Sequence, residues 1–161
     1  MKLILTKNKN IMATYTEEVG TKLNDLLERT YDAEKGYKKA AENVDHAGLK
    51  NYFSNKAQQR YEFGHELKEE IKAFGQEVDK GGSVKGSLHR AWMDTKALFS
   101  NENEESMLEE SIRGEKAAVS EYSDVMEDVS LPMSTKSILQ EQKSKIETGL
   151  NTIKGLEDIV D

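Results

Sequence analysis

The sequence predicts an all-α protein with four long helices and a shorter crossover helix between the second and third. Apolar residues recur at alternating spacings of three and four, which is the period of an amphipathic helix,. The chain has 161 residues, enough for one domain with its own core, and it has a single proline,. The breaks between periodic segments are short, which favours antiparallel packing of neighbouring helices.

The first two helices are expected to form such an antiparallel pair. The first has one apolar face from Val19 to Val44, and Thr16 gives a start signal just ahead of two acidic residues,. Residues 45–48 interrupt the pattern. The second helix has its apolar face over residues 49–74 and ends at Gly75, because glycine commonly follows the last residue of a helix,.

Residues 1–15 come before the first periodic segment. Their apolar block, residues 3–5, is too short for the core of a signal peptide, and no small-residue cleavage site follows it,. We therefore expect residues 1–15 to form a disordered N-terminal arm and residues 16–161 to form a single four-helix domain.

The second half of the chain contains the crossover helix and two more long helices. Ser83 is a suitable N-cap for the crossover helix, which ends ahead of the break at residues 101–103,. The third long helix ends before Pro132, because proline cannot continue the backbone hydrogen-bond ladder. Ser134 then caps the fourth long helix,.

Composition excludes several classes of function. The net charge of -7 argues against a general nucleic-acid surface or an anionic membrane surface,. The absence of cysteine excludes disulfides and thiolate chemistry and fits a cytoplasmic protein,. The sequence has no apolar run long enough to insert into a membrane, and it has neither a phosphate-binding loop nor a nucleophile elbow,. These observations favour a protein that is not an enzyme.

An E-x-x-H pair, Glu62 and His65, has the spacing of metal ligands in ferritin-like bundles,. Each residue of an α-helix turns about 100° from the last, so this pair can be placed relative to the apolar face. Arg60 lies in the middle of that face. Glu62 lies about 200° from it and His65 about 140°. The pair is therefore expected to face solvent.

Four other polar residues are expected to face the core. Arg60 and Glu115 lie centrally on the apolar faces of their helices, Glu34 lies beside such a face, and Gln142 falls in line with its neighbours,. Buried carboxylates need a counter-charge. We expect a buried polar layer in which the guanidinium of Arg60 bridges Glu34 and Glu115, while Gln142 takes a remaining hydrogen bond.

A metal site is the alternative interpretation of the same layer. Glu34 and Glu115 would then be the ligands, and iron or manganese would be the cofactor. Two carboxylates without an inward histidine make a poor site for paired irons, and Arg60 would repel the incoming cation. The preferred interpretation therefore has no cofactor and no metal site.

The crossover carries a distinctive motif, GSVKGSLHRAW, which contains His89, Arg90 and Trp92. Tryptophan at helical spacing from apolar neighbours is usually a packing anchor. His89 and Arg90 flank that anchor and are suited to pairing with neighbouring helices. A docking surface for a protein partner is the second interpretation of this motif.

With this motif, together with AQQRYEF and ESIRGEKAA, the chain resembles a bacterial family, domain of unknown function 2383. The resemblance extends over nearly the whole chain, from Thr16 to Asp158. It implies a ferritin-like four-helix bundle with a helical crossover between helices two and three.

The resemblance also implies roles for three of the inward residues. The inward carboxylate of the family corresponds to Glu115, its arginine to Arg60, and its helix-four glutamine to Gln142. The family often has a His-Asp pair near the end of helix four, where this chain has Leu150 and Asn151. This departure argues further against a metal site, and the resemblance implies no activity.

Two functions stay open from the sequence. The first is a non-enzymatic cytoplasmic bundle that acts in stress physiology as a homo-oligomer or through a protein partner. The second is a ferritin-like protein for redox chemistry or storage of iron or manganese, which it would bind through Glu34 and Glu115.

Overall fold

The computed structural model describes residues 2–81 and 104–160, with side chains from 11 to 81 and from 104 to 156. These residues form four long α-helices: α1 Lys2–Asn43, α2 Ala47–Ala73, α3 Glu104–Asp128 and α4 Met133–Val160. The predicted all-α class and the four long helices are confirmed. The expected crossover helix lies outside the described residues.

The first helix begins at Lys2, whereas the sequence analysis starts it at Thr16 and expects a disordered arm before it. Residues 2–18 contain neither glycine nor proline, so nothing in the backbone stops the helix from propagating toward the N-terminus,. Tyr15 also attaches this segment to the bundle. Its ring packs edge-on against Phe74 at 6.4 Å, and its hydroxyl donates to the carbonyl of Ser130.

The turn between α1 and α2 is closed by His46. Its Nδ1 accepts hydrogen bonds from the backbone N–H groups of Gly48 at 3.1 Å and Leu49 at 3.3 Å, so the imidazole caps α2,. The backbone N–H of His46 donates to Glu104 Oε1 at 3.2 Å, which ties this turn to the first residue of α3.

The second helix ends where the sequence predicts. Gly75 has a φ of +71°, a conformation that glycine adopts without steric cost,. The backbone N–H of Gly75 donates to the carbonyl of Lys72 at 2.9 Å, and that of Gln76 donates to the carbonyl of Ile71 at 3.1 Å. These two bonds satisfy carbonyls in the last turn of α2,.

The hydrophobic core consists of two clusters stacked along the bundle. One contains Leu27, Phe63 and Ala118, and the other contains Ala33, Ala57 and Leu108. Between them, each helix places a small or polar residue at the boundary: Thr30 on α1, Arg60 on α2, Glu115 on α3 and Gly149 on α4. The core is therefore interrupted by a polar level at mid-bundle.

Candidate functional site

The polar level is built around an ion pair between α2 and α3. Arg60 Nη2 donates to Glu115 Oε1, and each residue is only 2% exposed. The guanidinium also lies 5.8 Å from the ring of Tyr37 and 5.3 Å from the ring of Phe63,. Both charges are thus almost fully removed from water, where breaking the pair is costly.

The electrostatics of the pair fix the charge state of Arg60. Burial disfavours the charged guanidinium, but attraction to the Glu115 carboxylate and the hydrogen bond to it, together with contributions from Tyr37 and Tyr122, raise the pKa of Arg60 above its usual value,. Burial and then the negative charge of Glu115 raise the pKa of Tyr37 well above its usual value. The layer therefore holds a permanent cation beside neutral tyrosines at neutral pH.

A small cavity adjoins the pair and limits what it can hold. Its volume is about 10 Å³, close to the space of one water molecule, and its lining includes Arg60, Glu115 and Tyr122,. Glu115 Oε2 has no hydrogen-bond partner among the described residues. The lining contains one carboxylate, Glu115, and two arginines, Arg29 and Arg60, a set of side chains that disfavours a metal cation,.

Gln142 is buried beside this layer, one level along the bundle. It is 1% exposed, and its Oε1 accepts a hydrogen bond from Tyr122 Oη at 2.6 Å. Its Nε2 donates to the carbonyl of Phe63 and to Glu66 Oε1, both at 3.4 Å. Gln142 therefore links α2, α3 and α4 through Tyr122 and Glu66, rather than by a bond to the ion pair itself.

Glu34 does not join the Arg60–Glu115 pair in the described structure. Its side chain is 16% exposed and accepts a hydrogen bond from Lys38 Nζ at 3.1 Å. It lies on the wall of an open groove of about 670 Å³ between α1 and α2. Glu34 lies about 40° from Thr30 around α1, at the edge of the buried face. A side chain at that edge points into the groove rather than into the core, which is why Glu34 does not contact Arg60.

The E-x-x-H pair faces solvent, as its helical phase predicts. Glu62 and His65 are both exposed, and the His65 imidazole packs edge-on against the ring of Tyr61 at 4.6 Å. Gln58 Nε2 donates to Glu62 Oε1 at 3.5 Å. Across residues 2–81 and 104–160, no three His, Asp or Glu side chains converge as a metal site.

Sequence reasoning missed two buried carboxylates on α1. Glu28 and Asp32 are each 1% exposed. Both lie about 160° around the helix from Thr30, away from the apolar face. Helical periodicity predicts one buried face per helix, whereas α1 is buried on two sides at this level. No periodicity in the sequence signals this second buried side.

Lys56 was also missed, although its helical phase signals burial. It lies one turn before Arg60 on α2, about 40° away around the helix, and is 8% exposed,. Long charged side chains are usually assigned to solvent. The crossover residues His89, Arg90 and Trp92 lie outside the described residues.

Replacing Gln142 with leucine is expected to lower the free energy of unfolding by about 1–3 kcal/mol, because the buried hydroxyl of Tyr122 loses its acceptor. Urea unfolding followed by circular dichroism measures this. Gln140→Leu, at an exposed position on the same helix, is the matched control. Adding Tyr122→Phe to Gln142→Leu is expected to recover part of the loss. Equal stability of the Gln142 and Gln140 variants would contradict a structural role for this bond.

Comparisons with known proteins agree with this architecture. A family model described as Domain of unknown function (DUF2383) matches residues 18–128. A comparison with curated proteins finds no significant match.

Two solved structures of Dps from Mycobacterium smegmatis share the fold. A Dps1 mutant is 14% identical, with a TM-score of 0.76 over 89% of this chain and 97% of the Dps chain. A tetragonal form of Dps is 15% identical, with a TM-score of 0.75 over 88% of this chain and 87% of the Dps chain. At such identities the similarity concerns the fold alone. The chain belongs to the DUF2383 family and has a ferritin-like four-helix fold resembling that of Dps.

Proposed function

We propose that this protein is a non-enzymatic helical bundle that works by self-association, with an internal ion pair at mid-bundle in place of a metal centre. The observation that carries the proposal is the buried Arg60–Glu115 pair. In a bundle of this fold, inward carboxylates are the groups that bind metal. Here the inward carboxylate of α3 is already neutralised by a side chain of α2.

The ion pair is suited to a structural task. A buried charge pair fixes which residues of two helices face each other, since a shift along either helix would leave a charge without its partner. Tyr122 and Gln142 extend the same constraint to α4. Because the task of the polar layer is to set helix register, we expect the outer surface of the bundle to make the contacts with other molecules.

Exposed apolar residues at one end of the bundle support self-association. Ile11 and Met12 are 63% and 62% exposed near the start of α1, and Met133 is 82% exposed at the start of α4. The hydrogen bond from Tyr15 to the carbonyl of Ser130 brings these two helix starts to the same end. Apolar side chains exposed at one end of the bundle favour contact with a second apolar surface.

The experiment that tests this proposal measures the mass of the protein in solution. We expect the wild-type chain to dissociate on dilution in light scattering coupled to gel filtration. The double variant Ile11→Glu/Met12→Glu should dissociate at a higher concentration, because it places two charges on the apolar end. Tyr61→Glu, at an exposed position on the outer face of α2, is the control and should leave assembly unchanged. A wild-type chain that stays monomeric at every concentration would refute the proposal.

The metal-binding alternative requires Glu34 and Glu115 to act together. The structure places Glu34 beside Lys38 in an open groove and Glu115 beside Arg60 in the core. No observation on the described residues favours a shared cation between them.

A further inference from the structure

A groove between α2 and α4 contains an unusual lysine. The groove has a volume of about 400 Å³, and its walls include Tyr52, Lys56 and Gln59 from α2 and Lys145 and Gly149 from α4. The residue Lys56 is 8% exposed, so its amine lies at the bottom of this groove rather than at its rim. We call this space the α2–α4 groove.

The amine of Lys56 has few hydrogen-bond acceptors. An ammonium has three N–H donors, and the acceptor described for Lys56 Nζ is Gln59 Oε1, at the long distance of 3.5 Å. The same oxygen also accepts from Arg60 Nη1, so it is shared. The hydroxyls of Tyr52 and Thr148 donate to backbone carbonyls of α4. The ring of Tyr52, whose centre lies 5.6 Å from Nζ, offers the charged amine a cation–π contact but no hydrogen-bond acceptor, so the three N–H donors are poorly satisfied,.

Burial and the charge of Arg60 favour the neutral amine of Lys56. Burial, followed by the positive charge of Arg60, lowers the pKa of Lys56, and the negative charge of Glu115 opposes the shift in part,. Across the groove, Lys145 lies 3.4 Å from Glu141, with which it pairs. A buried lysine next to another cation is a common arrangement for a nucleophilic amine.

We propose that Lys56 is a nucleophile that captures small aldehydes as imines in the α2–α4 groove. The nitrogen lone pair adds to the carbonyl carbon, and one amine proton passes to the carbonyl oxygen to give a carbinolamine. That oxygen then takes up the second amine proton and leaves as water while the C=N bond forms. The step needs neither oxidant nor reductant, and water reverses it. Small aldehydes fit because the carbonyl carbon has to reach an amine at the bottom of the groove.

Gly149 makes this arrangement possible. It faces Lys56 from α4, and a methyl group on it would overlap Lys56 Nζ and lie 2.9 Å from Cε. Only glycine leaves the amine room at this place. Because the clash falls on the far end of a flexible side chain, Gly149→Ala should move the amine out of the groove while α4 and the bundle persist.

The test uses propanal, a neutral aldehyde that the cations of the protein do not attract. The full chain is treated with propanal and cyanoborohydride, which reduces an imine to a stable secondary amine, and adducts are counted lysine by lysine by peptide mass spectrometry. We expect the Lys56 adduct to form several-fold faster than those at the exposed Lys50 and Lys145. Because the pKa of Lys56 is lowered, the excess should be larger at about pH 7 than at about pH 10.5, where the exposed amines have also lost protons,.

Two alanine variants on the same helix separate reactivity from stability. Gly149→Ala should abolish the excess labelling at Lys56. Gly155→Ala should retain it, because a methyl group there meets open space. Circular dichroism checks that both variants are folded. Labelling of Lys56 no faster than Lys50 in the wild type, or unchanged labelling in folded Gly149→Ala, would overturn the proposal. If a variant does not fold, the pH dependence of Lys56 labelling in the wild type still tests the proposal.

Discussion

Replacing Arg60 with methionine is expected to lower the free energy of unfolding by about 3–5 kcal/mol, because the carboxylate of Glu115 then stays buried without its counter-charge. Both residues are only 2% exposed, so water does not compensate for the missing guanidinium. Methionine fills much of the space of the arginine stem, and the loss therefore reports on charge rather than on a cavity. Urea unfolding followed by circular dichroism gives the free energy.

A double-mutant cycle isolates the contribution of the pair. Arg60→Met/Glu115→Leu removes both charges, and we expect it to recover most of the stability that Arg60→Met loses, since an apolar pair has no desolvation cost. Arg113→Met is the control. The Arg113 side chain is 66% exposed and pairs with Glu110 along the same helix, so its loss should cost less than about 1 kcal/mol,. Equal free energies of unfolding for the Arg60→Met and Arg113→Met variants would show that the buried pair does not stabilise the bundle.

The second large effect is expected at high pH, where the protein should unfold steeply as the pH rises above about 10. The pKa values of Tyr37, Tyr52 and Tyr122 are raised, mainly because burial disfavours the phenolate. In the unfolded chain these phenols lose their protons near pH 10. Above that pH the unfolded state binds fewer protons than the folded state, so stability falls as pH rises.

Lys56 acts in the opposite direction. Its pKa is lowered in the fold, so between the folded value and about pH 10.5 the unfolded chain holds a proton that the folded chain has released,. Its contribution to stability therefore rises with pH across that window. Three tyrosines outweigh one lysine above about pH 10, and the net result is alkaline unfolding.

Absorbance at 295 nm and circular dichroism, recorded in one pH titration, check this prediction. The phenolate signal of Tyr37, Tyr52 and Tyr122 should appear together with the loss of helix. Tyr37→Phe and Tyr52→Phe should each make unfolding less steep in pH, whereas Tyr61→Phe, at a half-exposed ring, should not. Phenolate absorbance from all six tyrosines while the helices remain intact would contradict the assignment.

Helical phase located the centre of the polar layer from sequence. Arg60 and Glu115 lie in the middle of their apolar faces, and both are buried and paired. Helical phase gives the direction of a side chain around its own helix, but it does not identify the residue of a neighbouring helix that the side chain contacts. Glu34, on the flank of its face, consequently pairs with Lys38 at a groove rather than with Arg60.

Two other differences have physical reasons that the sequence pattern does not contain. Glu28 and Asp32 are buried on the side of α1 away from its apolar face, and one-face reasoning assigns such residues to solvent. The sequence pattern predicts the start of α1 at a capping signal, Thr16, but the residues before it contain neither glycine nor proline to stop the helix. Tyr15 then attaches the earlier turns to Phe74 and Ser130, contacts that arise only in the folded bundle.

Metal content is the most direct measurement of the central claim, that a side-chain cation at mid-bundle replaces a metal. Protein purified without chelator is equilibrated anaerobically with Fe²⁺ or Mn²⁺, dialysed, and measured by elemental mass spectrometry. We predict much less than one equivalent in the wild type. Glu115→Gln and Glu109→Gln, the latter at an exposed position on α3, should give the same value. One or more equivalents in the wild type, lost in Glu115→Gln and kept in Glu109→Gln, would contradict the account.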